Sequence, residues 1–139
     1  MPNWCENKLI VFADNSNDLE KFKDKMKGNL DRFLWSFHPM PRALEGTRAP
    51  QDNPNWYDWC HENWGTKWDV EITIETKDEN HVELSFDSAW APPINWLKKV
   101  AKDYPDLNFS LKYNEPGMGF YGKVIARNGI ITGEHEYES

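Results

Sequence analysis

Residues 68–90 read WDVEITIETKDENHVELSFDSAW, and the alternation inside them decides the fold. Val70, Ile72 and Ile74 alternate with Glu71, Thr73 and Glu75; Val82, Leu84 and Phe86 alternate with Glu83, Ser85 and Asp87. A period of two is the signature of a strand with one face buried and one in water. Both apolar sets fall on even numbers, so antiparallel pairing on a shared face needs an odd number of intervening residues. The simplest solution is a three-residue loop, Asp78-Glu79-Asn80, with Asn80 left-handed.

Working outward from this hairpin, NKLIVFAD (7–14) is a short apolar, β-branched run, expected to be a strand buried on both faces. Asn17 is placed as the cap of a helix, with Glu20 completing a variant capping box, Leu19, Phe22 and Met26 forming one stripe and Gly28 stopping it. A long connection of about 29–67 follows, rich in Pro and Gly, and a structureless loop of that length is unusual in a compact domain. Within it, Asn53-Pro54 and Gly65 bound a short helix whose Trp56, Tyr57, Trp59, Cys60, Asn63 and Trp64 share about 160° of arc. Downstream of the hairpin, Pro92-Pro93 opens a helix carrying Ile94, Leu97, Ala101 and Tyr104 at helical spacing. A strand with Phe109, Leu111 and Tyr113 on one face comes next. After Pro116-Gly117, two strands flank Asn128-Gly129, the signal for a type I′ turn. Strand, helix, insertion, hairpin, helix, strand and a terminal hairpin make an α+β, ferredoxin-like split βαβ arrangement. The expected form is one domain over 1–139: an antiparallel sheet with helices on one face, a helical insertion before the second strand and a C-terminal β-hairpin.

Composition narrows the function. The chain has 139 residues, 39% hydrophobic and 28% charged, as in ordinary globular proteins. Its start has no basic n-region or long apolar run, so neither a signal peptide nor a membrane span is expected. Two cysteines are too few for a disulfide framework, and a bacterial cytoplasmic setting is expected. With 23 acidic and 16 basic residues the net charge is −7, which disfavours nucleic acid as a partner, because backbone affinity comes largely from counterion release. Folds of this type do bind RNA by stacking bases on an open sheet face. The central hairpin offers carboxylates there, so that mode requires the other strands to supply aromatics and compensating charge.

Four of the eight tryptophans, Trp56, Trp59, Trp64 and Trp68, lie within thirteen positions. Most of them read as core, since burying an indole removes about 150–250 Å² from water. Trp4, Asn63, Trp64, Trp68 and Trp90 are expected to gather into an aromatic–polar cluster able to floor a recognition pocket. GMGFYGKV matches G-x-G-x-x-G at Gly117, Gly119 and Gly122, but a strand follows instead of the helix that a phosphate-binding loop requires. Turn-plus-bulge geometry is the expected reason for these glycines. Cys5, His38, Cys60 and His61 lack the paired spacing of a zinc site, so no metal and no cofactor are expected. Cys60 lies mid-stripe and reads as a small buried hydrophobe. Adjacent His61 points off that face, so no Cys–His nucleophile pair is expected.

The chain resembles the YubB-like, ferredoxin-like proteins of bacteriophages, plasmids and bacterial mobile elements. The resemblance rests on Met1-Pro2-Asn3-Trp4-Cys5 with Asn7, on Pro39-Met40-Pro41, on Asn55-Trp56-Tyr57 with Trp59-Cys60, and on Asn63 through Trp68. Ala89-Trp90 with Pro92-Pro93 and Glu115 through Phe120 with Gly122 complete it. It implies a cytosolic, phage- or plasmid-associated protein, and it carries no activity or catalytic residues with it. The expected function is a non-enzymatic binding module engaging a host protein through Asn63, Trp64, Lys67, Trp90, Glu115 and Phe120. Single-stranded nucleic-acid binding through tryptophan stacking and a small ligand or enzymatic substrate in a tryptophan-lined pocket are the alternatives. The oligomeric state is left open.

Overall fold

The computed structural model describes residues 3–13 and 17–138. The first strand, β1 (Trp4–Phe12), starts three residues before the expected 7–14, whose last residue lies outside the described ones. It alternates strictly at its start: Cys5, Asn7, Leu9 and Val11 are buried, while Glu6 and Lys8 are exposed. The expectation of a strand buried on both faces is therefore corrected. A continuous apolar run does not by itself reveal that only one face is covered, and Ile10 and Phe12 are left half-buried on the other.

Helix α1 (Asn17–Lys27) buries Leu19, Phe22 and Met26 as the stripe required. Asn17 is its first helical residue and not its cap; the preceding residues lie outside the described set. The insertion contains α2 (Phe33–Phe37), a single 3-10 turn at Arg42–Leu44 and α3 (Trp56–Asn63). Asn55 caps α3 in place of Asn53, accepting a bond from the Asp58 N–H at 2.9 Å. Gly65, at φ +84°, ends it as expected.

The central hairpin pairs β2 (Thr73–Lys77) with β3 (His81–Ala89). Its parity problem is solved differently from the expected three-residue loop. The Asp78 N–H donates to His81 O at 3.0 Å, so only Glu79 and Asn80 lie between the closing pair. Asp78 Oδ1 accepts from the Asn80 and His81 N–H groups at 2.8 and 2.9 Å, and Asn80 is not left-handed. The odd residue instead sits in an irregularity between Ile74 and Thr76, which restores Ile74 opposite Leu84. Strand β2 is also shorter than its alternation: Val70 and Ile72 are buried, but their backbones bond Phe33 N–H and Leu30 O.

Helix α4 (Ile94–Asp103), β4 (Asn108–Glu115), β5 (Phe120–Arg127) and β6 (Ile130–Glu138) complete the chain. Asn128 and Gly129 both have positive φ, 55° and 80°, the geometry of the expected type I′ turn. One six-stranded sheet results, in the order β2-β3-β1-β4-β5-β6 with every pairing antiparallel. Its first four strands, with crossings through α1 and α4, are the ferredoxin-like core, and the terminal hairpin extends the sheet. Helices cover one face. Phe22 of α1 meets Phe109 of β4 edge-on at 6.1 Å, Phe33 of α2 meets Phe86 of β3 at 6.1 Å, and both helices join α4 through Tyr104 and Trp96. The other face of the sheet has no helix over it among the described elements, and Lys8, Lys112 and Lys123 are exposed there.

Candidate functional site

Burial sorts the eight tryptophans into three groups. Trp64 and Trp96 are buried, and each indole N–H reaches a backbone carbonyl, His38 O at 2.9 Å and Leu34 O at 3.0 Å. Trp35, Trp56 and Trp59 pack half-buried on the core. Trp4, Trp68 and Trp90 stay exposed at 44%, 39% and 41%, although an indole is a costly group to leave in water.

Backbone geometry gathers those three at one corner. Trp4 sits opposite Ala89 in the β1–β3 ladder, and Ala89 precedes Trp90. Trp90 adopts φ 71°, a left-handed conformation costing a bulky residue about 1–3 kcal/mol, and its N–H donates to Asn3 O at 2.8 Å. Wholly buried Thr66 donates its hydroxyl to Ala89 O at 2.8 Å, fastening the exit of α3 to the same strand end. Trp68 thereby lies against Trp4, ring centroids 6.3 Å apart. The Lys67 ammonium stands 4.5 Å from the Trp68 ring centroid and 5.9 Å from that of Tyr57.

Asp69 holds this exit segment from beneath. Its carboxylate accepts from the N–H groups of Leu34 and Trp35, at 2.7 and 3.0 Å, and of Val70, at 2.8 Å. It thus serves as the side-chain cap that α2 lacks at its own N-terminus. Burial pushes the Asp69 carboxyl above the ordinary aspartate range, opposed by those three N–H groups and by Arg32.

The six expected contact residues do not form one surface. Trp64 is interior, and Glu115 is completely buried, its carboxylate accepting from the Gly117 N–H at 3.1 Å and from the Met118 N–H. Glu115 is a turn-holding group, the last residue of β4 and on the same buried face as Phe109, Leu111 and Tyr113. Asn63 is half-buried and donates to Trp59 O at 3.0 Å. Phe120 packs half-buried on Tyr113 at 6.1 Å. Only Lys67 and Trp90 reach the exposed corner, where Trp4 and Trp68 join them. The anticipated aromatic–polar cluster is split accordingly: Asn63 and Trp64 engage His38 and Trp59, whereas Trp4 and Trp68 pack on each other. A depression of about 450 Å³ runs past Trp56, Trp64 and Trp68, but neither Asn63 nor Glu115 lines it. Sequence reasoning missed the roles of Thr66, whose small polar side chain carries no periodic signal, and of Asn3, which acts through its backbone carbonyl.

Comparison with known families places this geometry. The model described as "Ferredoxin-like domain in Api92-like protein" matches residues 63–138, more than half of the chain. The chain belongs to the Api92-like family. A crystal structure of a protein api92 from Yersinia pseudotuberculosis is similar with a TM-score of 0.59 and 19% sequence identity. The match covers 76% of this chain and 39% of that one, and at this identity it shows the fold alone. No curated protein matches.

The Api92-like segment contains the three glycines of the G-x-G-x-x-G pattern, and each is accounted for by close approach or backbone conformation. A Cβ on Gly117 falls 2.8 Å from Asn3 Cγ, Gly119 has φ +78°, and a Cβ on Gly122 falls 2.4 Å from both Tyr113 Oη and His135 O. The β4–β5 ladder runs without a bulge, so the bulge half of the expectation is corrected: Gly122 clears space for the Tyr113 ring. Both cysteines are buried free thiols pushed up to about 12 by desolvation, which keeps them protonated at neutral pH.

Proposed function

We propose that this protein is a non-enzymatic binding module, a YubB-like accessory protein of a phage or plasmid that engages a host protein in the bacterial cytoplasm. One observation supports the reading above all: Trp4 and Trp68 are exposed against each other with Lys67 beside them, and Trp90, whose N–H bonds Asn3 O, is exposed at the same end of the β1–β3 ladder. A monomer has no stability reason to leave three indoles in water, and tryptophan is enriched where protein interfaces concentrate their affinity. The strained backbone at Trp90 points the same way, since such strain collects at functional positions. The buried, protonated thiols and the fully engaged Glu115 carboxylate argue against either serving as a nucleophile or base.

The test is affinity capture from nuclease-treated bacterial lysate, comparing the native chain with Trp68→Ala and Trp90→Ala variants whose melting curves match it. A stoichiometric host protein recovered by the native chain and lost with both variants supports the corner as the interface. Equal recovery by all three removes the corner from consideration.

A further inference from the structure

We propose that the open face of the sheet is a second binding site, for single-stranded nucleic acid. This reading is independent of the tryptophan corner. It rests on a row of residues that only the strand register assembles. Thr73 lies opposite Ser85, Ser85 opposite Lys8, Lys8 opposite Lys112, Lys112 opposite Lys123, and Lys123 opposite His135. Three lysines on three adjacent strands thus stand side by side on one face, at strand spacings of about 4.8 Å. Like charges directly opposite one another destabilise a sheet. Among the described residues none of the three makes a side-chain hydrogen bond or an ion pair. The row is an unneutralised cationic strip, and an anion is the missing counterpart.

The next row along the strands supplies the second element. Tyr121 and Tyr137 face each other across β5 and β6, stacked at 5.4 Å and 29°, with exposures of 45% and 53%. Two flat, exposed rings beside a cationic strip match what a single strand presents, bases to stack and phosphates to neutralise. An acidic peptide or a simple polyanion uses the lysines and leaves the tyrosines idle. Lys8, Lys112, Lys123, Tyr121 and Tyr137 also line one open depression of about 880 Å³. The carboxylates that line it, Glu6, Glu71 and Asp87, lie on β1, before β2 and on β3, with Glu6 and Asp87 opposite each other, and none lies on β4, β5 or β6. The net charge of −7 therefore describes the whole chain and not this face. The lysines and tyrosines set the path of the strand over β1, β4, β5 and β6 and away from the central hairpin.

The experiment is fluorescence anisotropy of labelled 12-mers of oligo-dT and oligo-U, and of an abasic 12-mer, titrated with the full chain at low salt. Expected are saturable binding to the base-bearing 12-mers, at least fivefold weaker binding of the abasic one, and a log–log salt slope of about −2 from three phosphate contacts. The dT and U arms distinguish a DNA preference from an RNA one. Tyr121→Ala and Tyr137→Ala each weaken binding about fivefold or more at unchanged melting temperature, and Lys8→Gln/Lys112→Gln/Lys123→Gln flattens the salt slope. Trp90→Ala leaves binding unchanged. No binding at low salt, equal affinity for the abasic strand, or tyrosine variants that fold and bind like the native chain overturns the proposal. Should one tyrosine variant fail to fold, the other and the lysine variant still decide it.

Discussion

Replacing Asp69 tests the attachment of the insertion, and with it the placement of Lys67 and Trp68. The native carboxylate serves three backbone N–H groups at 2.7–3.0 Å. In Asp69→Ala the two at the start of α2 lose their cap, a loss of about 1–2 kcal/mol, and the Val70 donor adds about 1 kcal/mol. Relief of the buried carboxylate's desolvation offsets part of this, leaving a net loss of about 2 kcal/mol. For a chain of this size that is roughly 6–10 °C in melting temperature. Asp69→Asn keeps one acceptor, enough for Leu34 and Val70, whose donors both reach Oδ1, but presents an N–H to the Trp35 donor; about half the loss is expected.

The pH dependence gives a sharper check. Burial raises the folded-state pKa of Asp69, so the folded chain binds that proton more tightly than the unfolded one. Its contribution to stability therefore falls as pH rises from the ordinary aspartate value, 3.8, through the raised folded value, and is flat above both. The Asn variant lacks this step. The stability difference between native chain and Asn variant is accordingly larger at pH 4 than at pH 7. Urea unfolding followed by tryptophan fluorescence at both pH values measures it. A loss below 0.5 kcal/mol in the Ala variant, or a difference that narrows toward acid, refutes the reasoning.

Two further outcomes follow from packing. Gly122→Ala places a methyl 2.4 Å from the Tyr113 hydroxyl and the His135 carbonyl, so a loss of about 1–3 kcal/mol is expected, whereas Gly133→Ala, whose Cβ comes no nearer than 3.9 Å to Ile125, shifts the urea midpoint little. Equal midpoints for the two variants contradict the close-approach explanation of the glycine pattern. Cys5 and Cys60 are buried at 0% and 3% with pKa values near 12, so a thiol reagent at pH 8 reacts with neither in the folded chain and with both in urea; prompt labelling of the native protein contradicts their burial.

The strands were legible because a period of two survives in the sequence whatever the partner strand does. Val82, Leu84 and Phe86 face the helices as their alternation required, as do Phe109, Leu111 and Tyr113. What alternation cannot state is where a register is corrected. An odd loop and an irregularity at Glu75 satisfy the same parity, and Asp78, by bonding the Asn80 and His81 N–H groups, favours the tight turn. Helix α2 escaped because five residues are too few for a periodic signal, and its N-terminal cap, Asp69, lies 35 residues from Leu34.

The open face shows the same limit from the side of function. Judged from the central hairpin, it offers carboxylates, and a nucleic-acid ligand is disfavoured there. Lys8, Lys112 and Lys123 are too widely separated in sequence to read as a basic patch, and each sits alone in an ordinary alternating strand with no second basic residue beside it. They become one row only when β4 adds beside β1 and the terminal hairpin beside β4. The hairpin that pairs Tyr121 with Tyr137 is the same element that brings Lys123 to the row. Net charge averages over such rows, whereas a ligand meets them one face at a time. The two strands appended to the ferredoxin-like core therefore supply what its central hairpin lacks, aromatic surface and positive charge on the uncovered face.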